Sequence, residues 1–222
     1  MSNTIAITLN FHGVGPVPRL IDTGERNCWL DQDFFEAVLD RIAGRPRVKL
    51  TVDDGNSSDC EKILPALLKR DLHATFFVCS GRLNQPDFLN PVQIRELHSH
   101  GMGIGSHGVS HVPWRHLQPQ QLRDEVEGSK HAINEFCGLT VDTAACPFGS
   151  YDRTVLRALQ QAGYRQVYTS DGGIASSGDW IQPRVTITRA MSIGEIEQLI
   201  EKGPSALKQL SINARKFCKK LR

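Results

Sequence analysis

The stretch Gly103-Ile104-Gly105-Ser106-His107-Gly108-Val109-Ser110-His111 can be read two ways, and each reading implies a different fold and chemistry. Its first six residues fit G-x-G-x-x-G, the glycine pattern of dinucleotide-binding sheets; its last six fit S-H-x-x-x-H, two imidazoles four residues apart. A dinucleotide site needs a helix opening directly after the glycines and an acid at the end of the following strand. Here Pro113 stops a long helix from growing, and Asp124 and Glu125 fall inside an amphipathic helical segment instead. The glycine match is therefore accidental. The histidine reading has physical support, because residues i and i+4 on one helical turn project from the same face and can reach one ion.

A second cluster lies upstream, in Thr51-Val52-Asp53-Asp54-Gly55. Adjacent carboxylates at the end of an apolar strand repel each other and serve no packing purpose, whereas a cation would relieve the repulsion. Gly55 lets the chain turn sharply beyond them. A hydrolytic metal site of the zinc type takes three protein ligands and keeps one position open. Asp54, His107 and His111 supply three.

Short apolar runs alternate with segments of helical period along the rest of the chain. Strands are expected at 5–11, 48–52, 74–79, 102–106, 143–147, 166–169 and 184–188. Between and after them, helices are expected at about 34–42, 58–68, 91–99, 119–136, 153–162 and 193–201. Strands separated by helices cannot pair as hairpins, so the sheet should be mostly parallel, with reactive groups at the C-terminal strand ends. The pattern fits either a closed barrel or an open doubly wound sheet.

The 222 residues suit one domain spanning 1–222, with its core at about 5–200 and a basic tail at about 203–222. A net charge of +2, with 40% hydrophobic and 23% charged residues, is far too small to argue for nucleic acid or a membrane as the main partner. The opening residues lack the features of a signal peptide and no apolar run is long enough to span a membrane, which leads us to expect a cytoplasmic protein. Six scattered cysteines without a C-x-x-C pair point to reduced thiols. Oligomeric state is left open.

These motifs resemble those of the polysaccharide deacetylase family, the carbohydrate esterases with a NodB homology domain. Its T-F-D-D-G motif stands here as TVDDG and its S-H-x-x-x-H motif as SHGVSH. Its R-x-P-[FY]-[GN]-x-[FY] motif is echoed by Ala145-Cys146-Pro147-Phe148-Gly149-Ser150-Tyr151, and Ala74-Thr75-Phe76-Phe77 matches a flanking strand. The resemblance runs from about residue 5 to 200 and implies an α/β fold, a distorted (β/α) barrel of about seven mostly parallel strands. It implies a metal-dependent hydrolase that removes N-acetyl, or less often O-acyl, groups from a carbohydrate. Asp53 would be the catalytic base; Asp54, His107 and His111 would hold a divalent metal, zinc first and then cobalt, nickel or iron. Pro147, Phe148 and Tyr151 would line the substrate side, with the Phe148 backbone N–H stabilising the oxyanion.

Three departures bear on that expectation. The arginine that opens the third motif is Ala145 here, and Arg184 is the candidate to replace it. No histidine follows His131, so the family's C-terminal acid is missing; His12, at the end of the first strand, is a candidate acid or substrate contact. The fourth motif is only echoed, by Asp171 and by Asp179-Trp180, with Trp180 a candidate for stacking on a sugar. Two other readings keep the fold: an amidohydrolase acting on a small non-sugar amide or cyclic imide, and a catalytically degenerate carbohydrate-binding domain.

Overall fold

A computed structural model describes residues 5–21 and 23–221. Its strands are Ile5–Phe11 (β1), Val48–Asp54 (β2), Ala74–Val78 (β3), Gly103–Ser106 (β4), Thr143–Ala145 (β5), Gln166–Thr169 (β6), Ile174–Ser176 (β7), Ile181–Pro183 (β8) and Val185–Thr186 (β9). They form one sheet in the order β7-β1-β2-β3-β4-β5-β6-β8, with β9 also pairing with β1. Every pairing is parallel except β1 with β7. Gln182 Nε2 of β8 donates to Ser176 O of β7 at 2.9 Å, so the two edges of the sheet meet and the barrel nearly closes. This settles the choice left open by periodicity in favour of the barrel.

The helices are Thr23–Cys28 (α1), Gln32–Ile42 (α2), Leu64–Leu68 (α3), Pro91–Ser99 (α4), Pro119–Arg123 (α5), Ser129–Cys137 (α6), Arg153–Gln161 (α7), Ile193–Lys202 (α8) and Ala206–Leu221 (α9). The expected strand at 184–188 shrinks to β9, and β7 and β8 are additional short strands. The expected helix at 119–136 contains a π turn, Asp124–Gly128, between α5 and α6. A second π turn, Asp59–Ile63, leads into Pro65. Proline has no N–H to continue a regular ladder, so a widened turn ahead of it costs little.

Alternation along the strands sorts the side chains. Leu9, Phe11, Leu50, Val52, Phe76 and Val78 pack beneath the helices as the main apolar core. The other parity points into the barrel: Asn10 pairs in register with Thr51, and Asp53 with Phe77. Below Asp53 the interior is closed by Phe77 and Tyr168, whose rings lie 4.9 Å apart. The Arg184 guanidinium sits 5.3 Å above the Phe77 ring, a favourable cation–π arrangement.

The glycines of the opening stretch now have a packing explanation. A Cβ on Gly103 would lie 2.8 Å from Thr75 Oγ1, and one on Gly105 would lie 2.4 Å from the Phe77 ring. Gly108 has φ +81, and a Cβ there would lie 2.5 Å from Glu125 Oε2. Each position must be bare for its neighbour to fit. No pyrophosphate is needed to explain them.

Candidate active site

The C-terminal end of β2 presents Asp53 and Asp54, both buried. Asp53 is saturated with donors. Arg184 Nη1 donates to its Oδ1 at 2.6 Å and Nη2 to its Oδ2 at 2.8 Å, and Asn10 Nδ2 donates to Oδ2 at 3.0 Å. Asn10 is itself fixed, since its Oδ1 accepts from Thr51 Oγ1 at 2.7 Å and from Arg184 Nη1 at 2.8 Å. Burial alone would raise the Asp53 carboxyl, but the Arg184 guanidinium, with His107 and His12, holds it well below the usual carboxylate range. Arg184 thus reaches Asp53 from 131 residues further along the chain.

Asp54 is placed differently. Its Oδ1 is buried and has no hydrogen-bond partner among the described residues, yet it lies 3.1 Å from His111 Nε2 and 3.6 Å from His107 Nε2. One ligand atom from each of the three residues lies within 4.8 Å of the others. Such separations suit donors sharing one ion at ~2.0–2.2 Å from each. His107 Nδ1 meets the Ala145 carbonyl at 2.9 Å; because a carbonyl only accepts, the proton sits on Nδ1 and the Nε2 lone pair faces Asp54. Burial pushes the His111 imidazole down to about 4, against the pull of Asp54, so it is a neutral donor at ordinary pH. Arg82 Nη2 lies 3.1 Å from His111 Nδ1. A carboxylate with an orphaned oxygen and two imidazoles is a donor set that fits a divalent ion.

The two histidines do not converge by the helical i, i+4 route expected from their spacing. Residues 107–111 form a loop, with His111 at φ 54. Glu125, turned inward by the π turn, accepts from Val109 N at 2.8 Å and from Ser110 N at 3.1 Å, which fixes the loop. Ser129 Oγ donates to Gly108 O at 2.9 Å and adds a second tether. Asp54 (φ 83) and Phe148 (φ 57) share the left-handed backbone of His111, a strained conformation held by the surroundings.

The remaining candidates fall on both sides of the line. His12 reaches the cluster, its Nε2 4.0 Å from Asp53 Oδ2. Phe148 is largely exposed at the mouth, its ring centroid 4.6 Å from that of His111, and Pro147 is buried beneath it. Tyr151 does not line the mouth. It is buried, and its hydroxyl donates to Asp171 Oδ2 at 2.7 Å. Trp180 is also elsewhere: it precedes β8, at the N-terminal end of a strand parallel to β6, and its indole N–H donates to Tyr164 O at 2.9 Å. Stacking on a sugar at the mouth is thereby excluded for it. Asn10, Arg82 and Glu125 were not among the expected site residues; a polar residue at a buried parity of β1 was the one available signal, at Asn10.

The family model for polysaccharide deacetylase matches residues 40–167. The Bacillus subtilis (strain 168) protein YxkH is 29% identical over 175 residues, covering 78% of this chain and 63% of that protein. A chitooligosaccharide deacetylase from Bradyrhizobium sp. (strain ANU 289) is 29% identical over 147 residues, covering 65% of this chain and 63% of its own length. The chain thus spans less than two thirds of either relative. Among solved structures, the Streptococcus pyogenes deacetylase PplD in complex with acetate superposes with a TM-score of 0.78 at 22% identity, covering 90% of this chain and all of that one. That similarity establishes a shared fold, and the family match spans both carboxylates and both histidines. The chain belongs to the polysaccharide deacetylase family.

Proposed function

We propose that this protein is a metal-dependent hydrolase that removes N-acetyl groups, or O-acyl groups, from a carbohydrate. One observation carries the reading: Asp54 Oδ1, without a hydrogen-bond partner among the described residues, faces the imidazoles of His107 and His111, while the neighbouring Asp53 is fixed by Arg184. Asp54, His107 and His111 would hold the ion, with zinc the first expectation. When bound, a divalent ion supplies Lewis acidity toward the scissile carbonyl and lowers the pKa of water.

The chain's own groups supply the rest. Asp53 is held ionised and in one orientation, with Oδ2 3.7 Å from His107 Nε2, so it faces the same space as the three ligand atoms. It accepts the proton that the attacking water loses. The carboxylate is a weak base because Arg184 stabilises its charged form, which suits a reaction in which the water is made acidic. The Phe148 backbone N–H, in its strained turn at the mouth, is assigned to the developing oxyanion. His12 is assigned the proton that goes to the leaving amine as the C–N bond breaks, yielding acetate and the free amino sugar. We include the expected cytoplasmic setting in this proposal.

The test is acetate release from chitooligosaccharides, the class in the name of the Bradyrhizobium relative, and from nucleotide-linked N-acetylhexosamines. Cyclic ureides form the control, with zinc, cobalt or nickel added. Turnover of an acetylated sugar that chelation abolishes and added metal restores is the expected result. Turnover of the ureides alone moves the substrate to small cyclic amides, and sugar binding without turnover makes this a degenerate domain.

A further inference from the structure

Helix α9 is docked through Ile212, Gln209 and Lys219 and shows a second, apolar face to solvent. Ile212 is buried against Gly172 and Gly173, and Gln209 Oε1 accepts from Ile174 N at 3.3 Å. Near the other end, Lys219 Nζ donates to Asp171 Oδ1 at 2.6 Å and to Gly149 O at 3.0 Å. The helix is thus held at both ends and cannot roll. On the opposite face stand Leu207 (82% exposed), Leu210 (66%), Phe217 (62%) and Leu221 (65%), with exposed Ala214 among them. These positions recur at three- and four-residue steps, which is one face of an α-helix. A contiguous apolar face held outward in this way marks an interaction surface.

The charges beside the stripe indicate the partner. Residues 206–222 contain no aspartate or glutamate. Lys208 and Arg215 flank the stripe on one side, near Glu195 of α8, whose carboxylate is engaged in capping Ser192. On the other side Lys220 shares a shallow hollow with Arg153 and Arg157 of α7. A second copy packed on this stripe would bring basic flank against basic flank, with no acid on either helix to pair them. An anionic lipid surface complements both features, accepting the apolar residues among its acyl chains and the cations among its headgroups. No described helix is long and apolar enough to cross a membrane, so α9 would lie in the surface plane. We propose that α9 attaches the protein peripherally to membranes rich in anionic phospholipid.

This attachment does not depend on the hydrolase reading, because it is measured without turnover. The whole protein is sedimented with vesicles of equimolar phosphatidylglycerol and phosphatidylcholine, and with vesicles of phosphatidylcholine alone. Binding to the anionic vesicles is expected to be at least about tenfold stronger and to weaken with salt. L210S combined with F217S should cut it by about tenfold or more. K208Q, R215Q and K220Q together should remove the preference for anionic lipid. All five positions are exposed, and unchanged thermal melting confirms that the variants fold. The proposal is overturned if the wild type shows no preference between the vesicles, or if the serine pair binds as well as wild type. It is equally overturned if the protein ignores vesicles but forms a dimer that the serine pair dissolves, which would make a second copy the occupant of the stripe.

Discussion

Asp53 and Asp54 are adjacent in sequence, identical in type and equally buried, yet their surroundings are opposite. Asp53 has three donors on its two oxygens and a guanidinium in a bidentate grip. Asp54 has an oxygen with no hydrogen-bond partner among the described residues, although two imidazole nitrogens stand within 3.6 Å of it. Burial raises both carboxyl groups; Arg184 with two histidines outweighs it at Asp53, and three histidines outweigh it at Asp54. The strand pleat accounts for the division, sending the first acid into the barrel while the second turns away at φ 83. One carboxylate is neutralised by the protein, and in the proposed function the other is left for a cation.

The largest effects should come from exchanging these environments. Asp54→Asn is expected to lose both metal and turnover. Asp53→Asn should keep nearly full metal content while kcat falls by roughly 10²- to 10⁴-fold, the usual contribution of a general base. Metal analysis of the purified variants beside their kinetics checks the split, and equal metal loss in both would erase the distinction between the two acids.

Next in size is Arg184→Met, which strands a buried carboxylate. Removing one partner of a buried pair costs about 3–5 kcal/mol, so the melting temperature should drop sharply. Adding Asp53→Asn to this variant should recover part of the loss. No recovery would mean that Arg184 stabilises the fold through its packing on Phe77 rather than through Asp53.

A smaller loss is expected one shell further out. Glu125→Ala frees the Val109 and Ser110 amides and loosens the loop that carries His111. Metal affinity should fall about 10- to 100-fold, as is typical when an outer partner of a ligand is removed, while kcat of the fully loaded enzyme changes little. Equilibrium dialysis against zinc reads this directly, and unchanged affinity would show that the loop holds its shape without Glu125.

The smallest effect concerns the rim. Burial raises the Asp171 carboxyl, but Lys219, Tyr151 and Thr169 outweigh it and hold the pKa below its ordinary value of 3.8. A carboxyl depressed by folding contributes stability above its unfolded pKa and loses that contribution as pH falls through the lower folded value. Asp171→Asn should therefore cost on the order of 1–2 kcal/mol at neutral pH and progressively less below pH 3.8. A penalty that does not change with pH would remove the charge from that account.

How much of this was legible in the sequence depends on the range of each contact. The alternation of strands and helices, and the two motifs bearing the acids and histidines, are local patterns and could be read directly. The grip on Asp53 could not, because Arg184 lies 131 residues away and binds Asn10 across 174. Asn10 meets Asp53 across 43 residues, and Glu125, whose loop partners lie only 15 and 16 residues away, is aimed at them by a π turn that leaves no mark in hydrophobic period. β7 is three residues long, too short for alternation to register. Trp180 was a candidate for stacking on a sugar, yet its indole N–H is spent on Tyr164 O at the other end of the strand, and Tyr151, expected on the substrate side from its motif, is buried with its hydroxyl on Asp171.

The central claim is most directly tested by crystallising the zinc-loaded protein and mapping anomalous scattering at the zinc edge. The account predicts one strong peak within ~2.0–2.2 Å of Asp54, His107 and His111, with Asp53 outside the coordination sphere and still gripped by Arg184. A peak elsewhere, or one ligated by Asp53 in place of Asp54, would contradict it.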